Sequence, residues 1–260
     1  MKKIDGNRIA QQIIDELKKQ SQPVKRLVVI LIGDNQSAKS FIKRKEMIAK
    51  ELAIDFQLRE FEESITQEEL EGEVTRLSDD DVVGGIIIQL PLPDHLNRSA
   101  IISKISLDKD VDNLTGEAVV SAPAVGVVQD ILKEADFDLS NKIVAVVGSE
   151  GFLVGQPIVR WLGDQSLRVG GLKIKTADIE TEDLKTFLND VDLVISGVGR
   201  ERLISSQWLK EGARIIDFGY PADFDLSSEQ LTFYTPTPGG TGPVLVAELF
   251  KNFYNLLSLR

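Results

Sequence analysis

Gln89 closes the apolar stretch GGIIIQLPLPDH, Gly84 to His95, and an amide there needs a partner. Gly85, Ile86, Ile87 and Ile88 show no two-residue alternation, the pattern of a strand buried on both faces in a parallel sheet. Pro91 and Pro93 cannot extend the ladder, so the strand ends before them. Gln89 therefore falls at the carboxyl edge of a central strand, where open α/β sheets bind ligands. Taken alone, a glutamine that merely hydrogen-bonds the loop backbone fits equally well.

Other residues could join it. Phe41 and Lys45 are four apart and share one helix face. From spacing alone, however, Lys45 reads better as a solvated member of the basic run KRK. Asp110 and Asp112 in KDVDN read as turn residues on the same footing. In VAVVGSEGFLVGQP, Gly148, Ser149, Gly151 and Gly155 lie between a buried strand and a helix. Glycines there let backbone approach a pyrophosphate seated on the helix N-terminus, although the spacing is not the usual G-x-G-x-x-G and an ordinary turn stays open. Asp178 ends the next strand, about where an acid grips the ribose hydroxyls of NAD and repels a 2′-phosphate. TPTPGGTGP, Thr235 to Pro243, alternates stiffness and close approach, which suits ligand contact better than a linker, with a tight turn between domains as the other reading.

The elements that must position these residues alternate through the chain. NRIAQQIIDELKKQ has Ile9, Ile13, Ile14 and Leu17 at helical spacing, and RLVVILIG is a buried strand. SAKSFIKRKEMIAKELA predicts a helix with Ser37 as N-cap. DFQLREF alternates as a strand, and Thr66 with Glu69 forms a capping box opening the next helix. A second set follows a helix near VVQDILKEA: strands in KIVAVV, GLKIKTAD, VDLVISGVG and GARIIDFG, and a final amphipathic helix in TGPVLVAELFKNFYNLLSLR. The rhythm predicts two α/β domains with parallel sheets, the boundary falling near residues 115–140.

Composition narrows the chemistry. The 260 residues carry a formal net charge of −11, which argues against a general nucleic-acid binder. Anionic ligands must then be held by local cations or backbone N–H groups. No stretch approaches the ~18 apolar residues of a membrane span, and the amino terminus lacks the ~7–15-residue apolar core of a signal peptide, so a cytoplasmic protein is expected. With no cysteine and one histidine, disulfides, thiolate nucleophiles, Cys-ligated zinc and His-rich metal cages are excluded. His95 follows PLPD and reads as a loop or cap residue. Proton transfer falls to Lys, Asp, Glu or Tyr, and no metal is expected.

These motifs, in this order and over almost the whole chain, resemble the bifunctional methylenetetrahydrofolate dehydrogenase/methenyltetrahydrofolate cyclohydrolase family. QLPLP and TPTPGGTGP are the most specific of them. The resemblance implies an N-terminal α/β catalytic domain (residues 1–120, with helix 241–260 packing back on it) and a C-terminal Rossmann-like domain (121–240), with the active-site cleft between them. It implies folate on the first, a nicotinamide dinucleotide on the second, and a homodimer. By the same resemblance Lys45 is the catalytic lysine, Gln89 its hydrogen-bond partner, and Asp112 the carboxylate that binds the pterin. Phe41 stacks on folate, and the Gly-Pro loop lies against folate and nicotinamide, with Pro238, Gly239 and Gly240 on the substrate side and Thr241 on the cofactor side.

Several positions depart from that pattern. Phe41 stands where tyrosine is usual. The GRS after the nucleotide strand reads GSEG, one residue longer and without arginine. The HSKT-like segment that helps hold the NADP phosphate aligns with Asp178–Thr181, PCTP reads SAPA at Ser121–Ala124, and the loop before it is shortened. Family resemblance points to NADP, whereas Asp178 and the missing arginine point to NAD. Two rival readings follow: a folate-binding homologue with lost or NAD-only dehydrogenase activity, and a two-domain oxidoreductase of the shikimate dehydrogenase type.

Overall fold

The computed structural model describes residues 1–227 and 230–259. In chain order the elements are β1 (Lys2–Lys3), α1 (Gly6–Leu17), β2 (Arg26–Ile32), α2 (Gln36–Glu51), β3 (Phe56–Phe61), α3 (Gln67–Asp79), β4 (Val83–Ile88) and α4 (Arg98–Ile102). Next come α5 (Pro123–Glu134), β5 (Ile143–Val147), α6 (Gly155–Ser166), β6 (Lys173–Ala177), α7 (Leu184–Leu188), β7 (Leu193–Ser196) and β8 (Ile204–Ser205). A 3₁₀ turn at Ser206–Trp208 precedes β9 (Arg214–Asp217), β10 (Phe224–Asp225), β11 (Phe233–Tyr234) and α8 (Thr241–Ser258). The chain is a two-domain α/β protein built on parallel sheets. Among the described residues no helix is long and apolar enough to cross a membrane.

The chain divides into two compact units. Residues 11–123 and 246–260 form one, here the β4 unit; residues 1–10 and 124–245 form the other, the β5 unit. The β4 unit has a three-stranded parallel sheet in the order β3-β2-β4. All six residues of β4 are buried, as the absence of alternation requires. Its two glycines make room for α8. A Cβ on Gly85 would lie 2.8 Å from the Phe253 ring, and one on Gly84 2.9 Å from Leu257 Cδ2. Phe253 is wholly buried, a contribution of about 1.5–3 kcal/mol. Asn35, not Ser37, caps α2: its Oδ1 accepts the Ala38 N–H at 3.0 Å. An acceptor one residue ahead of the first turn reaches the free N–H groups, whereas Ser37 already lies inside the helix. The Thr66–Glu69 capping box forms at α3.

The β5 unit holds a six-stranded parallel sheet in the order β1-β11-β9-β7-β5-β6. Chain order reverses at β5, which has β6 on one side and β7 on the other, so the switch point lies there. The first ten residues belong to this sheet, since Lys2 and Lys3 pair with Phe233 and Tyr234 of β11. Two exposed lysines carry no strand pattern in sequence; backbone pairing with β11 makes them a strand, with Lys2 Nζ also bonded to Glu134. The core includes Ala145, Val147, Leu188, Val191, Val194 and Ile215.

Candidate functional site

In the β4 unit, α2 turns Ala38, Ile42, Lys45 and Ala49 to its buried side. Lys45 is only 5% exposed, so it is not the solvated residue that its spacing suggests. Its Nζ donates to Gln89 Oε1 at 3.0 Å. Gln89 N–H bonds Ile30 O at 2.9 Å, prolonging the β2–β4 ladder by one residue, and Gln89 Nε2 donates to Leu90 O at 3.0 Å. That second bond uses the amide's donor end, so the oxygen faces the lysine. Burial pushes the Lys45 pKa below the usual lysine range, against the opposing charge of Asp112. Burial also raises Asp112 to about 6, with Lys45 pulling it down and Asp110 pushing it up. The three groups form a lysine with an easily removed proton, an amide that aims it, and a carboxylate that senses its charge. Phe41, one turn earlier on α2, is partly buried and lies 6.0 Å from the Arg44 guanidinium, centroid to Cζ.

The segment carrying Asp112 is held from three directions. Ile86 N–H donates to Lys109 O at 2.8 Å, laying the segment along β4. Lys109 Nζ bonds Ser78 O and Asp80 O at the end of α3, at 2.6 and 2.8 Å. Asp110 closes the following turn by accepting from Leu114 N, Thr115 N and Thr115 Oγ1. Asp110 thus has the turn role expected of it, while Asp112 keeps its carboxylate near Lys45. From α8, the buried Asn252 donates to Val111 O at 2.9 Å and Ser121 O at 2.8 Å, tying together both ends of the loop between them. Sequence reading missed Asn252. Its signal was an amide on the helix face of the buried Leu249, Phe253 and Leu256, with the neighbouring Asn255 exposed.

In the β5 unit the glycine turn follows β5. Gly148 has a φ of +81°, which favours glycine. A Cβ on Gly155 would lie 2.0 Å from Gly148 O, so the start of α6 packs directly on the turn. Gly148 and Ser149 N–H groups bond Ala177 O, and Gly151 N–H bonds Gly148 O. Glu150 N–H donates to Asp178 Oδ2 at 3.0 Å, and Ile179 N–H to Asp178 Oδ1 at 2.8 Å. Asp178 therefore anchors the turn as well as ending β6. Val154, the N-cap of α6, makes no side-chain cap bond; instead Gln156 N–H donates to Gly151 O at 2.9 Å, so the glycine turn itself caps the helix start. Close-packed glycines between β5 and α6 fit the approach of a nicotinamide dinucleotide. Lys175, on β6, bonds Phe187 O at 3.0 Å and Asp190 at 2.6 Å.

The Gly-Pro loop also lies in this unit. Gly6 N–H donates to Gly239 O at 2.9 Å, and a Cβ on Gly6 would fall 1.7 Å from Gly240 O. Gly240 in turn abuts Pro236 O. Pro238 is exposed, and Thr241 is buried, its Oγ1 donating to Asp217 O at 2.9 Å. His95 is an exposed loop residue with Nε2 3.0 Å from Ile65 O, and among the described residues no metal-binding cluster of His, Cys, Asp and Glu occurs.

Residues 4–112 match a sequence model described as tetrahydrofolate dehydrogenase/cyclohydrolase, catalytic domain, and residues 121–260 match the NAD(P)-binding domain of that family. The chain belongs to the tetrahydrofolate dehydrogenase/cyclohydrolase family. It is similar to the bifunctional protein FolD of Bacillus licheniformis, 33% identical over 274 residues covering 96% of this chain and 94% of the relative. A crystal structure of the bifunctional enzyme FolD from Campylobacter jejuni superposes with a TM-score of 0.91 at 31% identity, covering 100% of this chain and 99% of that one. The Trypanosoma brucei FolD, solved with NADP cofactor and inhibitor, gives 0.90 at 27% identity over 99% and 98% of the two chains. Within the family, this member's NAD(P)-binding domain carries the glycine turn, and its catalytic domain carries Lys45, Gln89 and Asp112.

Proposed function

We propose that this family member oxidises 5,10-methylenetetrahydrofolate with a nicotinamide dinucleotide and hydrolyses the methenyl product to 10-formyltetrahydrofolate, Lys45, Gln89 and Asp112 acting on the folate. The observation that carries this reading is the buried Lys45–Gln89 bond of 3.0 Å. A bound nicotinamide ring accepts the hydride from the methylene carbon. In the hydrolysis, water adds to the methenyl carbon and gives a proton to neutral Lys45. The lysinium then returns that proton to N5 as the bond from the carbon to N5 breaks, and the new hydroxyl gives its own proton to solvent as it becomes the formyl C=O, so one proton is released overall. Gln89 keeps Lys45 aimed, and ionised Asp112 steadies the lysinium that forms. The paired N–H donors of the pterin suit the same carboxylate. Phe41 supplies a stacking face without a hydroxyl, and the Gly-Pro loop from Pro236 to Pro243 contacts folate and nicotinamide.

NAD serves at least as well as NADP. Asp178 supports this, because a carboxylate beside a dianionic phosphate is repulsive while it accepts hydrogen bonds from both ribose hydroxyls. Lys175 is engaged elsewhere. The match across both domains favours this activity over a shikimate-type dehydrogenase, and the resemblance supports a cytoplasmic homodimer. Mixing the protein with methylenetetrahydrofolate and either dinucleotide tests the reading, since reduced nicotinamide and methenylfolate both absorb. Growth of both signals supports it; folate binding by calorimetry with no reaction for either dinucleotide favours the non-redox homologue. Sedimentation at micromolar concentration tests the dimer.

A further inference from the structure

The proposed mechanism leaves two buried carboxylates of the β5 unit without a role. Asp217 ends β9 and is 2% exposed; Asp223 is wholly buried. Asp217 accepts the N–H groups of Gly219 at 2.7 Å, Asp223 at 2.9 Å and Phe224 at 3.3 Å. Asp223 reaches back toward β7. Its Oδ2 accepts from Ser196 Oγ at 2.5 Å and Val198 N at 2.9 Å, and its Oδ1 from Arg200 N at 2.8 Å. Its own carbonyl accepts Ile204 N–H at 2.9 Å, so the residue is anchored through backbone as well.

The segment that Asp223 holds, Ser196–Arg200, leaves the strand beside β5 at the switch point. It packs on the glycine turn: a Cβ on Gly148 would lie 3.0 Å from Val198 Cγ2 and 3.3 Å from Gly197 O. A Cβ on Gly197 would lie 2.8 Å from Val154 Cγ1, at the N-terminus of α6. The geometry points to Asp223 as a positioning residue for the dinucleotide, its carboxylate fixing the β7 exit loop as the wall against which the glycine turn and the start of α6 are set. This inference rests on the reading that the turn binds a nicotinamide dinucleotide. The two carboxylate oxygens have enough lone pairs for all three donors; asparagine has one oxygen, and its NH₂ would face an N–H. Gly219 completes the fit, because a Cβ there would meet Asp223 Cγ at 2.5 Å.

The test measures the Kd for NAD by calorimetry and, separately, methenyltetrahydrofolate hydrolysis, which consumes no dinucleotide. Asp223→Asn removes the acceptor, and Gly219→Ala displaces it with the charge intact. Both should raise the Kd for NAD tenfold or more while hydrolysis stays within twofold of the unmodified rate. Ser196→Ala, which keeps both N–H bonds, should raise it threefold or less. A Kd within twofold for both Asp223→Asn and Gly219→Ala overturns the inference, as does hydrolysis falling in proportion, which would mean general loss of structure. An unmodified protein that binds NAD without reducing it overturns the parent reading alone; one that binds no dinucleotide overturns both.

Discussion

The β4 and β5 units are both parallel α/β layers, yet they prepare for ligands in opposite ways. The β4 unit exposes chemistry through side chains: a buried lysine, an amide and a carboxylate, each with a perturbing neighbour. The β5 unit works through backbone. Its glycines bring chain against chain, and its acids, Asp178, Asp217 and Asp223, accept main-chain N–H groups. A unit that moves protons must tune individual pKa values, which requires burial of titratable groups. A unit that holds a dinucleotide needs a rigid backbone surface and a helix end, and it uses carboxylates as braces.

The sharpest way to break this contrast is Lys45→Met. General acid–base groups contribute roughly 10²–10⁴-fold, so methenyl hydrolysis should fall by about that factor while the Kd for NAD is unchanged. Hydrolysis near the unmodified rate would remove Lys45 from the mechanism. Asp112→Ala should raise the KM for folate by roughly 10–100-fold, from the loss of a charge-assisted contact of about 1.5–3 kcal/mol. In the unmodified protein, with Asp112 near pKa 6, folate binding should weaken as pH falls through about 6 and the carboxylate is protonated. If the dinucleotide KM moves instead, Asp112 serves the other ligand.

Asp217 tests whether the braces of the β5 unit carry a titration signature. Burial first, then the charge of Asp223, raise it to about 7 against three N–H donors that pull it down. The native state therefore keeps a proton that the unfolded chain releases near 3.8. That stabilisation is complete below pH 3.8 and is lost as pH rises through about 7. Asp217→Asn should flatten the decline in chemical-denaturation stability between pH 3.8 and about 7 by up to about 1.4 kcal/mol per pH unit; parallel curves would place the titration elsewhere. The smallest effect concerns Asp178→Ser. Removing one repulsive charge, worth about 1 kcal/mol near 4 Å in water, should shift the NADP-to-NAD ratio of kcat/KM roughly fivefold toward NADP. The lost bonds to Glu150 and Ile179 should weaken both dinucleotides together. An unchanged ratio, or a strong NADP preference before mutation, would mean that Asp178 acts only as a brace.

Much of this was legible in the chain itself. The unalternating run Gly85–Ile88 determined a strand buried on both faces, and its prolines determined where it stops. Thr66 and Glu69 determined a helix start, and the ordered motifs determined the family. These are local or colinear signals, and near neighbours fix them whatever the rest of the chain does. Tertiary structure alone decided the others. Lys45 looked solvated until α2 turned it onto the end of β4, because burial depends on the facing element and not on spacing. Asn252 meets Val111 and Ser121 across more than a hundred residues. Lys2 and Lys3 became a strand only because β11 offered an edge. Asp223, directly after the tyrosine-proline-alanine of a loop, became a brace because β7 and β9 are neighbours in the sheet though not in sequence. Besides the Ser196 hydroxyl, its partners are backbone N–H groups, which every residue except proline carries, so no side-chain pattern could have announced them.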